Sequence, residues 1–281
     1  MEPRPLDDYT GAMSDGDYVL GTRDDEAARL GVQHDVWRGQ MLDGFCRAGF
    51  AAGQTIVDVG AGPGFATADL AELVGPDGLV IALERSAHFA AAMRDLGLAN
   101  VEVREQDVNE RDFGTAIANG AWIRWVLAFV ADPARTVRHI AQALKPGGKA
   151  VFHEYANYQS WRTMPPSPDH ERFKSLIVTS WRDSGGEPDI ALELPLLLDA
   201  AGLDMVAVRP MVEIVGRDDA AWKWPAAFIA TGSARLHELG YATAEEAHRF
   251  ATCLDRLPPG TRMITPLVAE IIAVKRQPPA V

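Results

Sequence analysis

Only two cysteines, Cys46 and Cys253, occur in 281 residues, so the chain supports neither a disulfide framework nor a cysteine-rich zinc site and fits a reducing compartment. Cytoplasm is the expected location. Basic residues are also in the minority: 27 Lys and Arg against 39 Asp and Glu leave a formal charge of -12. With no dense basic tract in that acidic background, nucleic acid is not an expected partner. Long apolar runs are missing too. Leu194 to Leu198 and Phe228 to Ala230 are too short to cross a bilayer, and no membrane partner is expected. The opening Met1-Glu2-Pro3-Arg4-Pro5, followed by several aspartates, lacks the apolar stretch of a secretory signal and reads as a flexible leader. No histidine pair has helical metal-ligand spacing, so no metal is expected. There is no internal repeat. The length suffices for one elaborated α/β domain or two small ones, and the single domain is preferred.

What is present is a glycine-dense turn in a telling place. Thr55-Ile56-Val57-Asp58-Val59 is an apolar strand run, and Gly60, Gly62 and Gly64 follow it before a helical pattern begins. Such a turn lets the main chain approach a ligand closely and predicts a nucleotide-type cofactor site. Glu84 ends the next apolar strand, Leu79 to Leu83, where an acid can accept the hydroxyl protons of a ribose. Asp107 follows a third strand, Val101 to Glu105, at the height where an adenine amino group would lie.

The spacing is not that of the dinucleotide fingerprint, since these glycines alternate and Asp58 stands two residues before the first. Together with Lys145-Pro146-Gly147-Gly148 before a fifth strand, Lys149 to Glu154, the arrangement resembles the class I S-adenosylmethionine-dependent methyltransferases. The likeness runs from about Tyr18 to the last strand. It implies an α/β fold with a doubly wound, seven-stranded, mostly parallel sheet, and S-adenosylmethionine as cofactor. The leader Tyr18-Val19-Leu20-Gly21, then Glu26, Arg29, Leu30 and Gln33, resembles a small-molecule branch of that family, as in quinone and natural-product biosynthesis.

Alternation of elements supports a parallel sheet independently. Strands are expected at 55–59, 79–83, 101–105, 120–127 and 148–154, with helices at 65–74, 86–96, 112–118 and 133–144 between them. One or two helices between Asp24 and Arg47 precede the first strand and cap the cofactor mouth. Residues 1–50 are read as leader and cap, and 51–281 as the cofactor-binding core with lid insertions near 156–188 and 217–260. A helix from Asp169 to Asp183, another ending near Gly202, a sixth strand from Met205 to Ile214, helices over 220–239 and 243–254, and a last strand from Met263 to Val274 complete the reading.

The resemblance implies roles for particular residues. Gly60, Gly62 and Gly64 pass under the methionine part of the cofactor and Asp58 positions its amino group. Glu84 takes the ribose, Arg85 flanks it, and Asp107 and Val108 meet the adenine; Asp107 is also a good helix cap. Tyr18 and Gln33 either face the ligand or serve packing and solvation. Strand four lacks the acid with which many relatives begin it and carries Arg124 near its end. That cation can hold the cofactor's carboxylate or a substrate anion, or pair with a structural carboxylate. His153, ending strand five, is the candidate general base because its titration lies near neutral pH, although it is equally readable as a satisfied sheet-end residue. Strand alternation allows only one of His153 and Glu154 to face the site. Tyr155, Trp161, Trp181, Trp222 and Phe228, with Trp224, suggest an aromatic chamber for the acceptor or the core of a lid.

The expected function is methyl transfer to a small apolar or aromatic metabolite, with oxygen preferred over nitrogen or carbon because of His153. Two alternatives stay open: a repurposed fold that uses the cofactor without transferring its methyl group, and a nicotinamide-dependent oxidoreductase. A homodimer is compatible with the sequence and nothing in it requires one.

Overall fold

The computed structural model describes residues 24–277 of the chain. Helix α1 (Asp24–Ala48) comes first, a single helix of 25 residues. Strands β1 (Thr55–Val59) and β2 (Leu79–Glu84) are runs of Val, Ile and Leu without polar alternation, which is the pattern of strands covered on both faces. All but the first residue of each is buried. Between them lies α2 (Phe65–Val74), followed by α3 (Ala87–Asp95), β3 (Val101–Glu105) and β4 (Ala118–Arg124). Helix α4 (Pro133–Ala143) has Asp132 as its N-cap, accepting from the Arg135 amide, with proline in its first turn where no partner is needed. It leads into β5 (Leu144–Asn157).

Seven strands form one sheet in the order β3-β2-β1-β4-β5-β10-β7, where β7 spans Leu203–Met211 and β10 spans Leu267–Lys275. The five strands from β3 to β5 run parallel, and β10 is antiparallel to both β5 and β7. The chain winds outward from β1 to β3, then returns to lay β4 on the other side of β1, so the crevice opens at the carboxyl ends of β1 and β4. Val57, Ile81, Ile123 and Phe152 face a core with α4 and α6 (Leu194–Ala200). The alternate residues Ile56, Val80, Trp122 and Val151 face α1 and α2.

Above the crevice, α5 (Pro168–Asp183), α7 (Lys223–Glu238) and α8 (Ala244–Ala251) share a third core with the middle of α1, rich in tryptophan. Among the described residues no helix is long and apolar enough to cross a membrane.

Some boundaries differ from the sequence reading. No helix forms at 112–118, because Ala116 takes a left-handed φ of 51° and the chain passes directly into β4. The expected sixth strand begins at Leu203 and stops at Met211, and Ile214–Gly216 becomes a separate β8. The last strand is likewise split into β9 (Arg262–Ile264) and β10 around Pro266. With β6 (Arg162–Met164), these short pieces form a second, antiparallel sheet in the order β6-β9-β8. Three-residue strands are too short to show a period in sequence.

Candidate functional site

A cavity of 630 Å³ opens at the carboxyl ends of β1, β2 and β4, a volume typical of small-molecule sites. One end is polar. Glu84, at the tip of β2, is buried and accepts from two backbone amides, Gly62 N at 2.8 Å and Ser86 N at 2.7 Å. Burial raises its pKa, and those amides oppose the rise. The carboxylate thus ties the glycine turn to the start of α3, where the Ser86 hydroxyl also caps the helix. Asp107 accepts from Asn109 N at 2.7 Å in a local turn instead of capping a helix, and Arg85 approaches it at 3.8 Å. Val108 lies beside it on the cavity wall.

A narrower extension of 70 Å³ shares Leu30, Gln33, Gly60, Gly62 and Arg124 with this cavity and adds Asp58. Asp58 accepts from Thr67 Oγ1 at 2.7 Å, yet burial pushes its pKa up to about 6. Arg124 on β4 is brought down to about 10 by burial, with Asp58 opposing the change. The extension therefore offers one buried anion and one half-buried cation.

The other end is aromatic. Trp125, Tyr155, Tyr158, Trp161, Trp181, Trp224 and Phe228 line it. Trp224 stacks on Trp125 at 5.3 Å and Trp125 on Tyr155 at 5.5 Å, while Trp224 Nε1 donates to Gln33 Oε1 at 3.1 Å. Gln33 accepts there from Arg29 as well, so it links α1 to α7 at the cavity wall.

A family described as "Methyltransferase domain" matches residues 57–152, from β1 into β5. Residues 57–152 thus carry the methyltransferase-domain pattern, on a sheet with the class I strand order. Demethylmenaquinone methyltransferase of Lactococcus lactis is 31% identical over 126 residues, covering 43% of this chain and 49% of that protein. Arsenite methyltransferase of Halobacterium salinarum is 25% identical over 170 residues, covering 59% and 41%. The chain thus spans about half the length, or less, of these curated relatives. Among solved structures, phosphoethanolamine N-methyltransferase 2 of Haemonchus contortus superposes with a TM-score of 0.56 at 16% identity, covering 90% of this chain and 58% of that one. The [4+2]-cyclase SpnF gives 0.53 at 17%, covering 84% and 79%. Both likenesses concern the fold.

S-adenosylmethionine is the cofactor that this fold and family pattern imply, and the residues present fit it. A Cβ added at Gly62, where φ is 59°, would meet only Leu30, at an ordinary contact of 3.9 Å, whereas one at Gly60 would come within 2.6 Å of Val126. The backbone at Gly62 is free to lie under a ligand, with an acid, a cation and a second acid converging around it.

Several expectations need correction. Gly64 does not line the cavity; a Cβ there would come within 2.5 Å of Met93, so its bareness serves the packing of α2 on α3. Trp222 is also absent from the cavity wall and packs in the lid beneath Arg217, while Trp224, two residues on, takes the place expected for it. His153 is walled off. It shares the α1 face of the sheet with Asp58, Trp122 and Arg124, fully buried between Trp37 and Trp122, and its Nε2 lies 2.8 Å from Glu270 on β10. Glu270 is bound in turn by Arg47 and Arg209, so His153 belongs to a buried charge network under α1. Tyr18 lies outside the described residues. The sequence reading passed over His34, Trp125 and Tyr158; the last two follow the ends of β4 and β5, where strand-end position alone was the available signal.

Proposed function

We propose that the protein is an S-adenosylmethionine-dependent methyltransferase whose acceptor is a small apolar or aromatic molecule. The observation that carries this reading is the continuity of the cavity: glycine turn, Glu84 and Asp107 at one end, stacked aromatic rings at the other. In this reading Glu84 accepts from the ribose hydroxyls, Asp107 and Val108 meet the adenine, and Arg85 holds Asp107 in place. Asp58 and Arg124 match the ammonium and carboxylate of the amino-acid end. Bound there, the cofactor supplies an electrophilic methyl carbon on a sulfonium. The chain's own task is to orient the acceptor in line and keep water out, which Tyr155, Trp181, Trp224 and Phe228 do by walling the acceptor end. Helices α5 and α7, in the insertions near 156–188 and 217–260, act as lid elements of the core at 51–281.

The preference for oxygen rested on His153, and its enclosure under α1 removes that basis. Oxygen, nitrogen and carbon acceptors stand level. The net charge of -12 favours a small molecule over nucleic acid.

S-adenosylhomocysteine at about a hundred times its Kd should raise Tm by roughly 5 °C or more. Gly62→Val, which places a β-branched side chain at a left-handed φ beside the ligand, should abolish the shift. An equal shift in the variant would move the site elsewhere. Transfer of a labelled methyl group to a metabolite extract then separates a methyltransferase from a fold that holds its cofactor without using it.

A further inference from the structure

His34 is a buried histidine on α1 that no step above uses. Its Nε2 lies 3.0 Å from Asp69 Oδ2 on α2, and its Nδ1 lies 3.4 Å from Arg124 Nη2 on β4. A carboxylate only accepts, so the ring proton belongs on Nε2, leaving the Nδ1 lone pair to receive the Arg124 N–H. Asp69 is itself fixed by Arg38, which donates to both its oxygens. The ring stacks on Phe65 at 5.6 Å, which limits its rotation. Burial, and next the Arg124 charge, lower the pKa of His34, so it is neutral at physiological pH and remains an acceptor.

Arg124 needs such support. Its faces lie 5.6 Å from both the Trp122 and Trp125 rings, and its other described polar contact is the weak one to Met41 Sδ at 3.9 Å. Among the described residues no carboxylate forms an ion pair with it. A half-buried guanidinium with donors to spare, at the wall of the extension that also holds Asp58, is suited to an anionic ligand group.

We propose that His34 is a positioning residue: backed by Asp69, it holds Arg124 in register for the carboxylate of the cofactor's amino-acid end. The proposal rests on the assignment of S-adenosylmethionine to this cavity and goes one step behind it, to the residue that aims the cation.

The test is calorimetry on the full chain with two probes, S-adenosylhomocysteine and its decarboxylated analogue, which keeps the ammonium and loses only the carboxylate. Wild type should prefer the carboxylate-bearing probe by about tenfold or more, as a hydrogen-bonded charge pair allows. His34→Phe, which keeps the stacking on Phe65 and loses both hydrogen bonds, should weaken that probe by about tenfold and leave the analogue within about twofold. His34→Gln, able to donate to Asp69 and accept from Arg124, should restore most of the preference. Equal weakening of both probes in His34→Phe would mark a general structural role and overturn the proposal, as would an unchanged preference, or a wild type that binds both alike. If His34→Phe does not fold, Asp69→Asn decides: the preference should fall by about threefold, and an unchanged one overturns the proposal. Binding of neither probe to wild type would instead remove the cofactor assignment.

Discussion

His153 shows how far a residue can be read without its neighbours. Its type and its place at the end of β5 suggested a base, and alternation correctly required that it and Glu154 part company. That His153 would be shut in was not legible, because it depends on Trp37 of α1 covering the ring and on Glu270 of β10 meeting it. Burial, then Arg124, Arg209 and Arg47, hold the His153 pKa well below its usual 6.5. As pH falls through 6.5 the unfolded ring takes a proton and the folded ring does not. The stability it contributes is therefore present above pH 6.5 and is lost progressively below it. His153→Ala should cost about 2–4 kcal/mol at pH 8 through the cavity left and the lost hydrogen bond to Glu270. The variant should also lose less stability than wild type between pH 6.5 and 5.5. Urea unfolding at those pH values checks both. Turnover per folded molecule should stay within about twofold, the effect of a residue outside the reacting pocket; a much larger loss at unchanged stability would reinstate the ring as a base. Glu84 and Asp107 were legible in the sequence because strand ends fix their height above the sheet, whatever the cover.

At the scale of elements, the segment leaving β4 is the part the sequence showed least. Trp125 stands at a left-handed φ of 50°, rare for a bulky residue, and the turn Leu127–Phe129 follows it. Glu154, on the neighbouring β5, holds this turn: its Oε1 accepts from Val126 N and Leu127 N, each at 2.9 Å. Sequence spacing gives no hint of that partnership across 28 residues. Burial drives the Glu154 pKa up to about 7 against the pull of the turn's amides. A raised pKa means that the folded state holds the proton longer, so the stability it contributes is fully present below pH 4.5 and disappears as pH rises through about 7. Glu154→Gln keeps the accepting oxygen and should change stability by about 1 kcal/mol or less, with a flatter profile between pH 4.5 and 7. Glu154→Ala orphans two amides under Trp125 and should cost about 2–4 kcal/mol while weakening S-adenosylhomocysteine severalfold. Unfolding and binding measured on both variants decide it, and equal behaviour of Gln and Ala would show that the carboxylate does not organise the turn.

For the whole molecule, the sheet was readable from alternation and the lid was not, since its helices owe their positions to tryptophans that meet only after folding. Trp37 on α1 touches both Trp125 and Trp224, at 5.3 and 4.9 Å, and Trp181 on α5 approaches Tyr155 and Tyr158. Trp224, on α7, also bonds Gln33 on α1. These contacts join α1, α5 and α7 into one cluster standing over the cavity, separate from the core that α4 and α6 build on the far face. A ligand that contacts the glycine turn and Arg124 should steady α1 through Leu30, Gln33 and His34, and the steadying should pass to α7 through the indole contacts. Hydrogen exchange with and without S-adenosylhomocysteine should therefore slow at 24–48 and 223–238 together, by about tenfold where local opening governs exchange. Residues 194–211, in α6 and β7 away from the cavity, should exchange at the same rate in both states. Protection of α1 alone would mean that the lid moves independently of the cofactor end, and acceptor binding would then need its own closing step.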